Sequence, residues 1–422
     1  MIQLMILLKY ETLGASILEI MRPSWKARRS REKAALKMQN RVTIYMLSPT
    51  GKWPRRSFCM RGSVVKIILL IITLSLCACS ASYIKNFTQD EAAASAAPEK
   101  IFFAAARKGD IATVMRLVEE KKIDVNITDS YDWTGFMYAI QYGHEGLADY
   151  FLIKKASINQ QDANGLTPLM VAVNERHPGI VELLLQSGAD PQKQDKHGYT
   201  ALMWAIYNNS WDSIPLLLTA GKGLDLQNGF GETALHLAID YRLYDFATLI
   251  IQHQANVNIK DQQNRTPLHL AAAKGDLTNV RLLIDRRAVV NAPDARGETP
   301  LMKSINGRYS STALLLVSQH QDINTPNIQG QTPLHLAVYN DMPDLVTVLV
   351  NRKANLNSQD NKGFTPLMLA AQYGLESITS LLVENGADMN RRNSRGKSAL
   401  DLAKENNQQK IVDLMERKIK KQ

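Results

Sequence analysis

The hydrophobic and polar positions of this chain repeat with a period of 33 residues. In the clearest unit, residues 265–273 read Arg-Thr-Pro-Leu-His-Leu-Ala-Ala-Ala. The ten copies of this unit place the following residues at the Thr position: Ile101, Thr134, Thr167, Thr200, Thr233, Thr266, Thr299, Thr332, Thr365 and Ser398. Because no insertion separates them, the copies predict one elongated array of repeats, here numbered 1 to 10, in place of several independent domains.

Within each unit the pattern predicts two short helices and a turn. In the copy that covers residues 162–194, Asp-Ala-Asn-Gly supplies turn residues, Thr167 caps the first helix and Pro168 takes its first position. Apolar residues at helical spacing between 180 and 185 predict the second helix, which Gly188 ends. A small residue recurs at the slot of Ala172, where it allows close packing between neighbouring helices, and Ser304 is its only polar occupant.

This unit resembles the ankyrin repeat. The resemblance covers residues 98–422 and implies an all-α repeat solenoid of about ten repeats including the two caps, with a helix-turn-helix and a β-hairpin loop in each 33-residue unit. It also implies that His236, His269 and His335, which share one slot, fix the loops by hydrogen bonding and do not bind metal. An Asn that recurs at Asn159 and equivalent positions suggests a turn-forming role.

Two copies depart from the pattern. Pro215 falls inside the second helix of repeat 4 and should kink or shorten it. Repeat 7 has Lys303 and Ser304 at apolar and small slots, and Tyr-Ser-Ser-Thr at 309–312 is a poor helix start. We therefore expect repeat 7 to be the least stable. Where other copies lack the C-terminal Gly and have Lys155, His253, Gln254, Arg287 or Lys353, we expect strained helix ends.

The net charge of +10 does not lie on the repeats. Residues 1–79 hold 14 Lys and Arg against 3 acids, which leaves 36 bases against 37 acids in the remainder. The array is therefore not basic, and we expect no nucleic-acid partner. The three cysteines also lie in the first 79 residues, at Cys59, Cys77 and Cys79, so the repeats hold neither a disulfide nor a thiolate metal site.

The segment 60–79 reads as a secretory signal peptide. A basic start at Met60 is followed by the apolar run 67–76, which is too short to span a bilayer, and then by Cys-Ala-Cys. Leu76 to Cys79 resembles the bacterial lipobox, in which the last Cys is lipidated and becomes the N-terminus. The resemblance implies lipidation at Cys79, although Cys77 is an unusual residue for its position. The alternatives are an ordinary signal peptide, an uncleaved anchor, or a twin-arginine signal at Arg55 and Arg56.

These predictions divide the chain into four segments. Residues 1–59 are expected to be a disordered, over-extended N-terminus, with Met60 as the true start, and residues 80–97 a linker between the membrane and the repeats at 98–422. By resemblance to bacterial lipoproteins, Ser80 after the Cys favours the outer membrane. The expected location is the periplasmic side of the bacterial cell envelope, with a secreted or host-translocated protein as the alternative.

Aromatic residues concentrate in the slots that vary between copies. In the ankyrin fold these slots are the loop tips and the exposed ends of the first helices on the concave side. Tyr and Trp bring a large contact area at low entropic cost, so we predict partner binding there. The alternative is that several cover seams between repeats. The candidates are Tyr131, Trp133, Tyr138, Tyr142, Tyr199, Trp204, Tyr207, Phe230, Tyr241, Tyr339, Phe364 and Tyr373.

No catalytic motif, phosphate loop or metal-spaced His/Cys set stands out in the sequence, so we expect no enzyme, no cofactor and no metal. The predicted function is a membrane-tethered scaffold, held by lipidated Cys79, that binds one or more proteins as a monomer. An inhibitor or immunity protein that neutralises a toxin or enzyme is one alternative. A translocated effector acting in a host cell is the other.

Overall fold

The computed structural model describes residues 97–319 and 322–420, which form twenty α-helices in ten antiparallel pairs. The first helices of the pairs are α1 Pro98–Lys108, α3 Gly135–Gln141, α5 Pro168–Asn174, α7 Ala201–Tyr207, α9 Ala234–Asp240, α11 Pro267–Lys274, α13 Pro300–Asn306, α15 Pro333–Tyr339, α17 Pro366–Tyr373 and α19 Ala399–Glu405. The second helices are α2 Ile111–Glu119, α4 Glu145–Ile153, α6 Pro178–Gln186, α8 Ser213–Thr219, α10 Tyr244–Gln252, α12 Leu277–Asp285, α14 Ser310–Ser318, α16 Pro343–Asn351, α18 Glu376–Glu384 and α20 Gln409–Ile419. Each first helix packs against its own second helix and against the first helix of the next pair.

The first helices of repeats 2 to 9 begin after the recurrent Thr because its side chain satisfies a backbone N–H that has no partner in the helix. The Thr167 hydroxyl accepts a hydrogen bond from the Met170 N–H at 3.2 Å, and Pro168 occupies the first position, where a missing N–H costs nothing. The slot of Ala172 is fully buried between neighbouring first helices. In repeat 7 the Ser304 hydroxyl donates to the Leu301 carbonyl at 2.7 Å, which satisfies its buried polar group.

The loops between pairs are tight turns closed by a recurrent Asp or Asn. Asp162 accepts from the N–H groups of Asn164 at 2.8 Å and Leu166 at 2.7 Å. Gly165 has φ +84°, and a Cβ there would lie 2.9 Å from the nitrogen of Lys196 in the next repeat. In the described part of the chain the only β-type pairing is the isolated bridge between Thr128 and Thr134, so the expected hairpins are turns without regular strands.

Backbone hydrogen bonds join each loop tip to the next. The Lys196 N–H donates to the Asn164 carbonyl at 3.0 Å. The equivalent pairs, written as donor and acceptor, are Ala163–Tyr131, Gly229–His197, Gln262–Phe230, Ala295–Gln263, Ile328–Arg296, Asn361–Gln329 and Ser394–Lys362. These bonds leave the side chains at the tips free to vary, because only main-chain groups make them.

Two side-chain ladders add to these backbone bonds. The Gln194 amide donates to the carbonyl of Gly198 at 2.6 Å, in its own loop, and to that of Gln227 at 2.9 Å, in the next. The recurrent Asn, for which the sequence suggests a local turn role, also reaches into the next repeat. Its side-chain oxygen, or that of Asp225, accepts a backbone N–H in the pairs Asn126–Ser157, Asn159–Asp190, Asp225–Asn256, Asn258–Val289, Asn324–Asn355 and Asn357–Asp388.

The three His residues of the shared slot connect repeats in the same way. His269 Nδ1 accepts from the Thr266 N–H at 3.0 Å, and its Nε2 lies 3.1 Å from the Glu298 carbonyl of the next repeat. His236 and His335 make the equivalent contacts. Burial lowers the pKa of all three, that of His269 to about 4, so they are neutral at pH 7. The predicted loop-fixing role is confirmed.

Pro215 and the positions that lack the C-terminal glycine have the expected local effects, with one exception. Helix α8 begins two residues later than its equivalents and is seven residues long, because Pro215 lies in its first turn. Positive φ angles of 61° to 66° occur after the second helices at Lys155, Gln254, Arg287 and Lys353. The expectation was wrong for His253, which has φ −78° and comes one residue before the strained position.

The described residues contain no helix with the length and apolarity needed to cross a bilayer. The predictions about Met60, Cys79 and the segments 1–59, 60–79 and most of 80–97 concern residues outside the described part of the chain.

Candidate functional surface

Five tyrosines stand at the C-terminal ends of first helices and form what we call the tyrosine face. Its members are Tyr142, Tyr207, Tyr241, Tyr339 and Tyr373, and their exposed fractions run from 37% for Tyr142 to 56% for Tyr207 and Tyr339. They occupy the seventh or eighth position after the capping residue. Their positions agree with the predicted concentration of aromatic residues at exposed helix ends.

Tyr207 and Tyr241 form a ring pair across the junction of repeats 4 and 5. Their ring centroids are 6.0 Å apart and their planes are at 74°, an edge-to-face arrangement. The half-buried ring of Trp204 lies 5.9 Å from Tyr207 at 80° and extends the contact towards the helix core. Burial, reinforced by the neighbouring phenols of Tyr199 and Tyr207, raises the pKa of Tyr241 to about 12, so its hydroxyl remains a donor at any physiological pH.

Tyr339 and Tyr373 repeat the same geometry at the junction of repeats 8 and 9. Their centroids are 5.6 Å apart at 80°. Burial is again the main cause that raises the pKa of Tyr373. In both pairs a residue at the seventh position of one repeat meets a residue at the eighth position of the next. The stacking of the repeats therefore creates each pair from residues 34 apart in the sequence.

Three of the predicted contact residues are buried, with exposed fractions between 6% and 8%, and the prediction that they face a partner is wrong. They are Trp133, Tyr138 and Phe364. The indole N–H of Trp133 donates to the buried carboxylate of Asp162 in the next repeat at 2.9 Å. These side chains cover seams between repeats, as the alternative interpretation held.

The other two buried rings have their own polar partners. The Tyr138 hydroxyl donates to Asp129 at 2.5 Å and accepts from Arg107 at 2.8 Å. The Phe364 ring lies 5.9 Å from the guanidinium of Arg395, while its carbonyl accepts from His335 Nε2 at 2.9 Å. Removing either ring would therefore disturb the packing between repeats before it affected a partner.

Tyr199 and Trp204 are half-buried, so each contributes both to the packing of the repeats and to the exposed surface. The indole N–H of Trp204 donates to Asp195 at 2.9 Å, and its ring lies 6.0 Å from that of Tyr199. Because Asp195 also closes the loop by accepting the N–H groups of His197 and Tyr199, Trp204 anchors the loop as well as supporting Tyr207.

Tyr131 and Phe230 are exposed at loop tips, at 49% and 58%, away from the tyrosine face. Their backbone carbonyls take part in the tip-to-tip ladder. They extend the exposed aromatic surface towards the loops but belong to neither ring pair.

Between the two ring pairs lies a charged section whose ions are paired within the array. The Lys274 ammonium is 3.0 Å from Asp240 and the Arg265 guanidinium 3.9 Å from Glu232. In repeat 7, Lys303 contacts Asp294 at 2.7 Å and also Glu298, and these side chains are largely buried. Burial alone would raise the pKa of Asp294, but hydrogen bonds from Lys303 and two backbone N–H groups hold it below its ordinary value.

The sequence interpretation missed Trp211, which is 51% exposed at the turn before α8. Its ring packs against Phe246 with centroids 4.4 Å apart and borders a shallow cleft of about 120 Å³ that Pro178 also lines. The signal was Pro215, because the late start of α8 leaves residue 211 in a turn instead of a helix. Ile328, exposed at a loop tip, was also missed.

The described residues contain no group of three or more His, Cys, Asp or Glu arranged to hold a metal ion. Both ring nitrogens of His236, His269 and His335 already have hydrogen-bond partners. A larger open cleft of about 560 Å³ lies between α18 and α20, at the end of the array, lined by mixed charges that include Glu384, Lys410 and Arg417.

A comparison with protein-family models agrees with this architecture. A family model described as "Ankyrin repeats (3 copies)" matches residues 84–162, 101–195, 136–227, 185–261, 202–294, 249–327, 268–360, 301–393 and 334–422. Among solved structures, the chain is similar to the ankyrin repeat domain of Bcl-3, described as a unique member of the IkappaB protein family. The identity is 28% over 52% of this chain and 100% of that chain, with a TM-score of 0.46.

Proposed function

Because the chain belongs to the ankyrin-repeat family, whose arrays are protein-binding scaffolds, we propose that the tyrosine face is the surface that holds its partner. The observation that supports this is the exposure of five tyrosines on the ends of packed helices. Tyr side chains contribute large contact area with few rotatable bonds, and rigid helices hold them in place before binding. Ankyrin-repeat proteins are generally not enzymes, and the matching family model indicates no catalytic family.

The test compares a surface variant with a matched control. The Tyr207→Ala/Tyr241→Ala variant should lose proteins that crosslink to the full chain in membranes, while its melting temperature stays within a few degrees of the parent. Ile328→Ala, which removes an exposed apolar side chain at a loop tip, should keep them. If the Tyr variant retained every crosslinked protein, the tyrosine face would not be the binding surface.

We further propose that Cys79 carries lipid and tethers the array to the periplasmic side of a bacterial membrane, with the outer membrane favoured. The support is the sequence Leu76-Cys-Ala-Cys79 after a basic and apolar segment. Two or three acyl chains give stable anchoring, whereas one chain gives marginal binding. Residues between Cys79 and Pro98 would then link the membrane to repeat 1.

Metabolic labelling with an alkyne fatty acid tests the tether. The parent chain and Cys77→Ser should incorporate label and sediment with membranes, and Cys79→Ser should do neither. Equal labelling of the parent and Cys79→Ser would eliminate lipidation at this residue. Label lost only in Cys77→Ser would move the anchor to Cys77.

A further inference from the structure

The two ring pairs of the tyrosine face are separated by a fixed number of repeats. Tyr207 and Tyr241 meet between α7 and α9, and Tyr339 and Tyr373 meet between α15 and α17. The intervening first helices pack side by side through α9, α11, α13 and α15. Packed helices are usually 8–10 Å apart, so the four steps between the pairs correspond to about 30–40 Å.

Each pair forms an apolar corner. Rings at 74° and 80° present the face of one phenol beside the edge of the other, and the four exposed fractions lie between 44% and 56%. A compact apolar side chain, such as proline or leucine, fits such a corner because it contacts a ring face and a ring edge together.

Two lysines between the corners are already paired with acids of the array. Lys274 is paired with Asp240, and Lys303 with Asp294 and Glu298. A partner carboxylate would have to displace Asp240 from Lys274, where an exposed ion pair contributes little net free energy, or enter the largely buried group around Lys303. The electrostatic character of the surface therefore favours a partner with apolar groups at both ends and a polar, weakly held middle.

The exposed aromatic area argues against a second copy of this chain as the occupant. Four half-exposed tyrosines offer about 100 Å² each, or about 400 Å² together, if a whole Tyr side chain presents about 200 Å². A stable interface between two folded proteins needs about 800 Å² from each side. Two small contact points a long distance apart suit a linear segment better than a folded surface.

We propose that the two ring pairs bind one extended segment of the partner protein, which carries two apolar clusters about 10 to 13 residues apart. This spacing follows from the separation of the pairs and the 3.1 Å rise of an extended polyproline-like chain. The inference rests on the proposed function of the tyrosine face. It adds that binding is bipartite and that both corners must be occupied by the same segment.

The experiment selects phage-displayed random 20-residue peptides on the full chain and measures the affinity of a selected synthetic peptide. Tyr207→Ala/Tyr241→Ala and Tyr339→Ala/Tyr373→Ala should each weaken binding about 10- to 100-fold, because each removes one anchor. The corresponding Tyr→Phe pairs keep the rings and should stay within about 3-fold of the parent. Trp211→Ala, a surface aromatic outside the tyrosine face, should leave the affinity unchanged.

A truncated peptide that lacks one apolar cluster separates the two anchors. Its affinity for the parent protein should equal the affinity of the full peptide for the variant that lacks the corresponding ring pair. Combining the truncated peptide with that variant should then weaken binding no further. Selected peptides with a single cluster that depend on one pair alone would overturn the bipartite inference while leaving the proposed surface intact. Peptide binding that neither pair variant weakens would overturn both the bipartite inference and the proposed binding surface. If the protein dimerised in sedimentation velocity and the pair variants abolished the dimer, the occupant would be a second copy of this chain and the proposed peptide segment would be wrong.

Discussion

His269 joins two repeats through a single neutral imidazole, because its Nε2 lies 3.1 Å from the carbonyl oxygen of Glu298. Nδ1 of the same ring accepts the N–H of Thr266 at 3.0 Å, so Nε2 carries the proton and donates it. A charged ring would carry a second proton on Nδ1, which would face the Thr266 N–H and have only the Thr266 hydroxyl, 2.9 Å away, as an acceptor. Full burial and this hydrogen-bond arrangement both oppose protonation.

The array should lose stability in mild acid because of this group. The folded-state pKa of His269 is about 4, below its ordinary value of 6.5. Between these values the unfolded chain binds more protons, so the free energy of unfolding falls as the pH drops, by up to about 1.4 kcal/mol per pH unit for each such histidine. Above pH 6.5 the group contributes no pH dependence. Burial lowers the pKa of His236 and His335 in the same direction.

Urea unfolding between pH 7.5 and 4.5 tests this pH dependence. A variant with Met in place of His236, His269 and His335 should show a shallower dependence, although its stability at pH 7.5 is lower. Met is a native occupant of the same slot at Met302 and Met368. The exposed His253, changed to Gln, is the control. An unchanged pH dependence in the Met variant would contradict the assignment.

Trp133 should behave as a frame residue. Trp133→Phe removes the indole N–H that Asp162 accepts at 2.9 Å and leaves a buried carboxylate oxygen without that donor. We expect a loss of about 1–3 kcal/mol in the free energy of unfolding. Tyr241→Ala, at an exposed ring, should cost less than about 1 kcal/mol. Equal losses in urea titrations would show that burial does not separate the two classes of aromatic residue.

The Gln194 amide should hold two neighbouring loops together. Gln194→Ala removes its hydrogen bonds to the carbonyls of Gly198 and Gln227, at a cost of about 1–2 kcal/mol. Hydrogen exchange should accelerate in both loops, near residues 195–199 and 228–232. The exposed neighbour Lys193, changed to Ala, should leave exchange unaltered. Acceleration confined to one loop would argue against the bridging role.

The ion group of repeat 7 should be replaceable as a unit but not in part. Lys303→Leu alone leaves the carboxylates of Asp294 and Glu298 near each other without a cation, and should cost about 1–3 kcal/mol. Adding Asp294→Asn and Glu298→Gln gives a triple variant. Its three new residues are those that repeat 8 has 33 positions later, at Asn327, Gln331 and Leu336. The triple variant should recover the loss in thermal melts. A triple variant as unstable as the single one would refute the coupling.

Repeat 7 remains our prediction for the least stable unit. Its first helix carries Lys303 and Ser304, and Tyr309 stands before α14 without a side-chain cap. Amide exchange should be faster for residues 300–318 than for the same slots of repeats 6 and 8. Uniform protection across the three repeats would disprove it.

The helices and loops of the array could be predicted from the sequence because the same pattern recurs in each unit. Thr167, Pro168 and Ala172 act through contacts within a helix or with an identical neighbour, so the periodic pattern already contains their environment. Pro215 could be interpreted in the same local way, as a late start of α8. The candidate surface was only partly readable, because side chains from the same variable slots meet different neighbours in different repeats.

The sequence by itself determined the number of repeats and the starts of most first helices, which depend on short-range chemistry repeated along the chain, and the family resemblance implied the role of the three histidines. Only the tertiary structure decided which aromatic residues are exposed. Trp133 turns towards Asp162 and is buried, whereas Tyr241 meets Tyr207 and keeps almost half of its surface exposed. The physical reason is that burial depends on the side chain one repeat away, and the sequence of a single unit does not specify that contact.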